Sequence, residues 1–189
     1  MLGIIKRNFM NLSKHAFLCL YKSMVRSHLE FAEPVWSPHH QEYIEKIERV
    51  QMRATKLLPG FKNMSYSDRL KSLKLPTLKF RRIRGDLIEL YKIVQKFYDT
   101  EISLNINYAP STATRGSSLR IFQEHCKYDL RKHFFLNRVT NLWNCLPEFV
   151  VSAPTINVFK NRLDGFWKDQ AMIYDWHAGI TGAGNRSFE

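Results

Sequence analysis

The chain has 189 residues, 44% hydrophobic and 13% aromatic, which supplies a packed core and excludes a wholly disordered polymer. Its 29 Lys and Arg against 17 Asp and Glu leave a formal charge of +12, which points to a polyanionic partner, nucleic acid ahead of an anionic membrane. Three scattered cysteines, Cys19, Cys126 and Cys145, exclude a disulfide framework and fit a reducing compartment.

Met1 to Met10 contains basic residues but only fragments of an apolar run, so neither a signal peptide nor a membrane span is expected there. The expected setting is soluble and intracellular, in nucleus or cytoplasm, with no membrane partner. Ser13 then stands as N-cap for a helix from about Lys14 to Phe31, in which Phe17, Leu18, Tyr21, Met24, Val25 and Leu29 recur at helical spacing. Pro34 and Pro38 end it. A second helix is predicted from Gln41 to Leu58, with Ile44, Ile47, Val50, Ala54 and Leu57 on its apolar face and Pro59-Gly60 as its stop.

A short helix over Ser67 to Leu73 precedes a long one, capped by Thr77 and running through Lys96. Phe80, Ile83, Leu87, Leu90, Tyr91, Val94 and Phe97 are expected to form its buried stripe. After Asp99 the residues Asn105, Asn107, Pro110, Ser111 and Thr112 make a polar connector before Arg115-Gly116. Two short strands, Leu119 to Gln123 and Cys126 to Leu130, are expected to pair as a hairpin, the second alternating Cys126, Tyr128 and Leu130 on one face. Helices follow over Lys132 to Cys145, with Phe135, Val139, Leu142 and Trp143 inward, and from the Thr155 cap to Lys168, burying Ile156, Phe159, Leu163 and Trp167. The expected fold class is therefore mainly α. A helical bundle over 1–100, a connector over 101–117 and a small α+β extension over 118–170 precede a Gly-rich, mobile tail over 171–189.

On the second helix Lys46, Arg49, Arg53 and Lys56 lie three or four residues apart and form one stripe opposite the apolar face. Such a stripe tracks phosphates, or it is a solvated face tied by Glu42–Lys46 and Glu45–Arg49 pairs worth a few tenths of a kcal/mol each. The long helix opens on Lys79, Arg81, Arg82 and Arg84 with Asp86 as the one early acid. Cations at a helix N-terminus oppose the macrodipole, a placement that an anionic partner offsets.

His125, Cys126, Asp129 and His133 match no zinc spacing, so no metal is expected. Polymerisation needs paired carboxylates for two magnesium ions, and the sequence has no adjacent Asp-Asp pair. No nucleophile elbow or Cys-His couple can be assembled either. No catalytic residue, cofactor or small-molecule substrate is expected.

Leu20-Tyr21-Lys22-Ser23-Met24-Val25-Arg26-Ser27-His28-Leu29-Glu30-Phe31-Ala32 and Pro34-Val35-Trp36-Ser37-Pro38 resemble reverse transcriptases of jockey-like, LINE-type retrotransposons. The resemblance continues in the same order through Ile44-Glu45-Lys46-Ile47-Glu48-Arg49-Val50-Gln51, Arg53-Ala54-Thr55-Lys56, Leu75-Pro76-Thr77-Leu78 and Arg81-Arg82-Ile83-Arg84-Gly85-Asp86. Thr114-Arg115-Gly116, Trp143-Asn144-Cys145-Leu146-Pro147 and Phe159-Lys160-Asn161-Arg162-Leu163-Asp164 complete it, so it spans about Leu2 to Lys168. Ser27 stands where the family usually has proline and Phe31 where tyrosine is common. The resemblance implies a helical thumb at about residues 1 to 100 and a C-terminal extension beyond, contacting template, primer and element RNA. The catalytic aspartates would belong to a palm outside this sequence.

The two lines of reasoning together predict sequence-independent contact with RNA or DNA phosphates by Arg49, Arg53, Lys56, Lys79, Arg81, Arg82 and Arg84. A competing reading is a helical protein–protein module anchored on exposed Trp36, Trp176 or Phe188, or a retroelement remnant with no retained role.

Overall fold

Helix starts follow side-chain chemistry where the sequence offers it. Ser13 accepts the Ala16 N–H at 3.2 Å, Ser65 the Asp68 N–H at 3.2 Å, Thr77 the Phe80 N–H at 3.1 Å and Thr155 the Val158 N–H at 3.3 Å. Each satisfies a backbone donor that the first helical turn leaves open. The computed structural model describes residues 1–9, 11–99, 101, 103–109 and 119–181, which are mainly helical. Most of the expected connector, including Pro110, Ser111, Thr112, Arg115 and Gly116, lies outside the described residues.

The chain divides into two compact units: Met1–Arg82 with Ala171–Gly179, and Ile83–Gln170 with Ile180 and Thr181. Unit one holds α1 (Leu2–Asn8), α2 (Lys14–Leu20), α3 (Ser27–Leu29), α4 (Glu33–Trp36), α5 (Gln41–Thr55) and α6 (Tyr66–Leu73). Helix α7 (Leu78–Val94) starts in unit one and ends in unit two. Unit two adds α8 (Asp129–Lys132), α9 (Phe135–Asn144), α10 (Glu148–Val151) and α11 (Ile156–Phe166).

Between α2 and α3 the helix widens into a π-helical segment, Tyr21–Arg26. The Ser23 and Ser27 hydroxyls donate to carbonyls four residues back, at Cys19 and Ser23, which competes with regular helix geometry. The face that carries Phe17, Tyr21 and Val25 remains buried, and it packs with Ile5, Leu12, Leu58, Phe61, Leu70 and Leu75 into the core of unit one. Unit two is centred on aromatic stacking: Tyr91 lies on Phe159 with ring centroids 4.3 Å apart, and Trp143 approaches the same ring at 6.0 Å. The Tyr91 hydroxyl donates to the Ala153 carbonyl at 2.6 Å, so the buried phenol is satisfied. A two-pronged ion pair from Arg138 to Asp86, at 2.9 and 3.0 Å, ties α9 to α7.

The hairpin expected over Leu119–Gln123 and Cys126–Leu130 does not form. Ile121 pairs with Tyr108 as an isolated antiparallel bridge instead, with Phe122 N–H donating to Asn107 at 2.7 Å and Ala109 N–H to Arg120 at 2.9 Å. The Asn144 side chain closes the other edge: its carbonyl accepts the Ile121 N–H at 2.9 Å and its amide donates to the Ile121 carbonyl at 2.8 Å. With the backbone of Ile121 satisfied on both sides, the following segment has no edge to join. It coils into α8, and the alternating Tyr128 and Leu130 are exposed rather than buried. The extension is thus helical, not α+β.

The tail also departs from expectation. Ala171–Ile173 forms a 3-10 turn, Met172 and Trp176 are buried, and Thr77 binds the segment through its hydroxyl to Met172 O at 2.7 Å and its N–H to Ile173 O at 2.8 Å. Apolar side chains within a polar, Gly-rich run secure it. Residues 182–189 of the expected tail lie outside the described residues. Among the described residues no helix is long and apolar enough to cross a membrane.

Candidate nucleic-acid interface

Helix α5 carries the first predicted cationic stripe, and its buried side is not the one that apolar spacing marks. Ile44, Ile47, Val50 and Leu57 are half-buried, whereas Glu48, Gln51, Ala54 and Thr55 are fully enclosed. The reason is a polar network supplied by other elements. Tyr66 donates its hydroxyl to Glu48 at 2.5 Å, and the N–H groups of Leu78 and Lys79 reach the same carboxylate at 3.0 and 3.3 Å. Gln51 donates to the Tyr66 hydroxyl at 3.1 Å and to Pro76 O at 3.0 Å, while Tyr21 donates to Gln51 at 2.5 Å.

Burial pushes the Glu48 carboxyl above the ordinary glutamate range, and the bonds from Tyr66 and Leu78 and the charge of Arg82 pull it part of the way back. Burial next to this carboxylate raises the Tyr21 and Tyr66 phenols as well, so both remain protonated donors.

This packing leaves the other side of α5 to solvent. Arg53 and Lys56 are exposed and make no hydrogen bond or ion pair with a described residue. Arg49 is exposed too, but its guanidinium grips Glu45 one turn earlier at 2.6 and 3.0 Å. Lys46 pairs with Glu42 at 2.5 Å in the same manner. The solvated-face reading therefore describes the first half of the stripe, and the bare-cation reading the second.

The four predicted residues on α7 are placed differently. Lys79 is half-buried and donates to the carbonyls of Trp176 at 3.1 Å and Ala178 at 2.9 Å; burial, with the charge of Arg82, lowers its pKa. Arg81 makes a two-pronged ion pair with Glu30, which Arg26 also approaches at 3.5 Å. Arg82 is only 5% exposed. In unit two, Arg84 clasps Asp164 at 2.6 and 2.7 Å. Their cationic groups hold the fold together rather than facing a free surface.

Sequence periodicity missed cations that the structure exposes. From Arg53 to Lys74 the chain has Arg53, Lys56, Lys62, Arg69, Lys71 and Lys74 against Asp68 alone. Arg69 is buried, donating to Met52 O at 3.1 Å and lying 5.5 Å from the Tyr66 ring centre, which fixes α6 beside the last turns of α5. The other five are exposed. Charge density along the chain, rather than helical phase, would have found them. Unit one as a whole holds 16 Lys and Arg against 7 Asp and Glu, unit two as far as Thr181 12 against 9.

No protein-family model, curated protein or solved structure matches the chain.

Proposed function

We propose that the chain is the non-catalytic thumb and extension region of a jockey-like, LINE-type reverse transcriptase, and that unit one grips RNA or DNA through its phosphate backbone. The observation that carries this reading is the run of five exposed cations from Arg53 to Lys74, opposed by a single acid. A surface of that kind gains affinity by releasing counterions and has no means of reading bases. Of the residues predicted from sequence, Arg53 and Lys56 meet phosphate directly and Arg49 contributes from its pair with Glu45. Lys79, Arg81, Arg82 and Arg84 orient α7. The catalytic aspartates belong to a separate palm, and a nucleic-acid partner places the protein in nucleus or cytoplasm.

Fluorescence anisotropy with random-sequence RNA, DNA and hybrid duplexes across a salt series tests the reading. Five phosphate contacts give a log–log slope of about −4 to −5. A slope near zero, or no binding at low salt, overturns it. Primer extension by the chain alone should stay at background.

A second reading rests on Phe31, Val35 and Trp36, which are exposed around α4 and suit contact with another protein surface, such as the palm. Trp176, the other described anchor expected for such a module, is buried, and Phe188 lies outside the described residues.

A further inference from the structure

Hydroxyl groups along unit one are mostly committed to the backbone. Ser13, Ser65 and Thr77 cap helices, and Ser23 and Ser27 donate to carbonyls one turn back. Ser72, exposed in the last turn of α6, is held differently. Its oxygen accepts from the Lys14 ammonium of α2 at 3.2 Å, across 58 residues, and its own proton goes to no described residue. The same ammonium lies 5.4 Å from the ring centre of Phe61, a buried side chain of the core, so Lys14 is positioned from two sides.

An ammonium that touches a neutral hydroxyl gains only a weak, dipolar interaction. A phosphate on the same oxygen brings about two negative charges and three acceptor oxygens to a cation already in place. Lys71 and Lys74, both exposed, flank Ser72 in sequence, and neither makes an ion pair with a described residue. Arg69 also precedes it but is buried on Met52 O, so the two lysines are the cations that a docking enzyme meets. Two features oppose a phosphate here: the negative end of the helix dipole, and Asp68 one turn back on the same face. Asp68 is turned to the helix start, where it accepts the Ser65 hydroxyl at 2.6 Å, and three lysines outweigh its one charge.

We propose that Ser72 is the target of a serine kinase that selects lysine beside its substrate residue, and that Lys14 clasps the phosphate. Ser72 Oγ bonds to the γ-phosphorus of ATP, the bond from that phosphorus to the β–γ bridging oxygen breaks, ADP leaves, and the hydroxyl proton passes to a base of the kinase. The consequence rests on the phosphate-grip reading of unit one. Ser72 lies inside the run from Arg53 to Lys74, so its modification sets negative charge among the cations proposed to hold nucleic acid and lowers their affinity for it. The site and the clasp do not depend on that reading.

The folded full chain is treated with ATP, magnesium and a lysine-directed serine kinase, and the modified residue is located by mass spectrometry. Phosphate is expected on Ser72, and Ser72→Ala should remove it without changing the melting temperature, because the side chain is exposed. Phosphorus NMR then reads the clasp. The phosphoserine should titrate below its ordinary second pKa of about 6, and Lys14→Gln should bring the midpoint back toward that value, a response that a phosphate free in solvent does not give. Anisotropy with a random-sequence duplex across a salt series should show the log–log slope reduced by about 2 and the affinity at least about tenfold weaker after modification. Kinase treatment should leave binding by Ser72→Ala unaffected.

A folded chain that takes no phosphate on Ser72, or takes it only after unfolding, overturns the proposal. A midpoint that Lys14→Gln leaves in place overturns the clasp. Duplex affinity that modification does not change, while the unmodified chain binds, overturns the switch and leaves unit one's reading intact. A chain that binds no duplex in either state overturns that reading and the switch with it, whereas the Ser72 site and the Lys14 clasp still stand or fall on the mass spectrum and the phosphorus titration.

Discussion

The Glu48 carboxylate receives the Leu78 backbone N–H at 3.0 Å, so a side chain from the middle of α5 closes the first turn of α7. A helix N-terminus presents unsatisfied donors and a partial positive charge, and a carboxylate answers both. Thr77 caps the same turn locally, but Glu48 anchors it to another element.

Replacing Glu48 by alanine should cost about 2 to 3 kcal/mol, because the Leu78 and Lys79 N–H groups and the Tyr66 hydroxyl lose a buried acceptor together. Urea denaturation followed by circular dichroism measures it. A loss below about 0.5 kcal/mol would show that water or a neighbour replaces the carboxylate.

Stability should depend on pH through the same residue. The folded Glu48 pKa is raised, so the native protein binds this proton more tightly than the unfolded chain does. Its stabilising contribution is complete below the unfolded value of about 4.3 and is lost as pH rises through the folded value. Relative to Glu48→Gln, which does not titrate, wild type should lose stability as pH rises from about 4.5. Denaturation of both proteins up to about pH 7.5 reads the difference, and a gain with rising pH would mean that the folded carboxyl is the stronger acid.

Arg53→Gln with Lys56→Gln should reduce the salt slope of duplex binding by about 2, close to 0.9 per lost phosphate contact. Arg84→Gln should leave the slope unchanged, since its guanidinium is engaged by Asp164. Its stability cost should be under about 1 kcal/mol, as Asp164 is half exposed. Equal slopes for both variants would remove the distinction between free and committed cations.

Lys74 ends α6 in the left-handed region, at φ 51°, with Leu75 N–H reaching back to Leu70 O at 3.0 Å. An L side chain is strained there and glycine is not, so Lys74→Gly should stabilise the protein by about 1 kcal/mol. Thermal denaturation checks it, and a fall in melting temperature would mean that the lysine side chain has compensating contacts.

Tyr91→Phe should destabilise the protein by about 1 kcal/mol, because the Ala153 carbonyl loses its buried donor while the stack on Phe159 survives. Chemical denaturation measures this, and no change at all would mean that the carbonyl finds another partner.

Much of the helical architecture was legible in the sequence because its causes are local. Apolar residues recur at helical spacing in α7, α9 and α11, and Leu87, Leu90, Tyr91, Val139, Trp143, Phe159 and Leu163 are buried as that spacing requires. Ser13, Thr77 and Thr155 cap where a hydroxyl precedes such a run. The ends of α6 and of α7 were less legible, since Lys74 and Lys96 rather than glycine adopt the left-handed turn, and Phe97, expected in the buried stripe, lies past that turn and is exposed.

What escaped the sequence depends on partners far along the chain. Arg81 meets Glu30 across 51 residues and Arg84 meets Asp164 across 80, so a basic helix start that reads as a phosphate grip is spent on internal ion pairs. Periodicity records how apolar one helix is, not which donors face it, so Glu48 and Gln51 could not be recognised as core until Tyr66, Pro76 and Leu78 were brought against them. The sequence by itself determined a helical protein with a large positive charge. Tertiary structure decided which cations reach solvent, because a charge is free only when the rest of the chain brings no carboxylate or carbonyl to it.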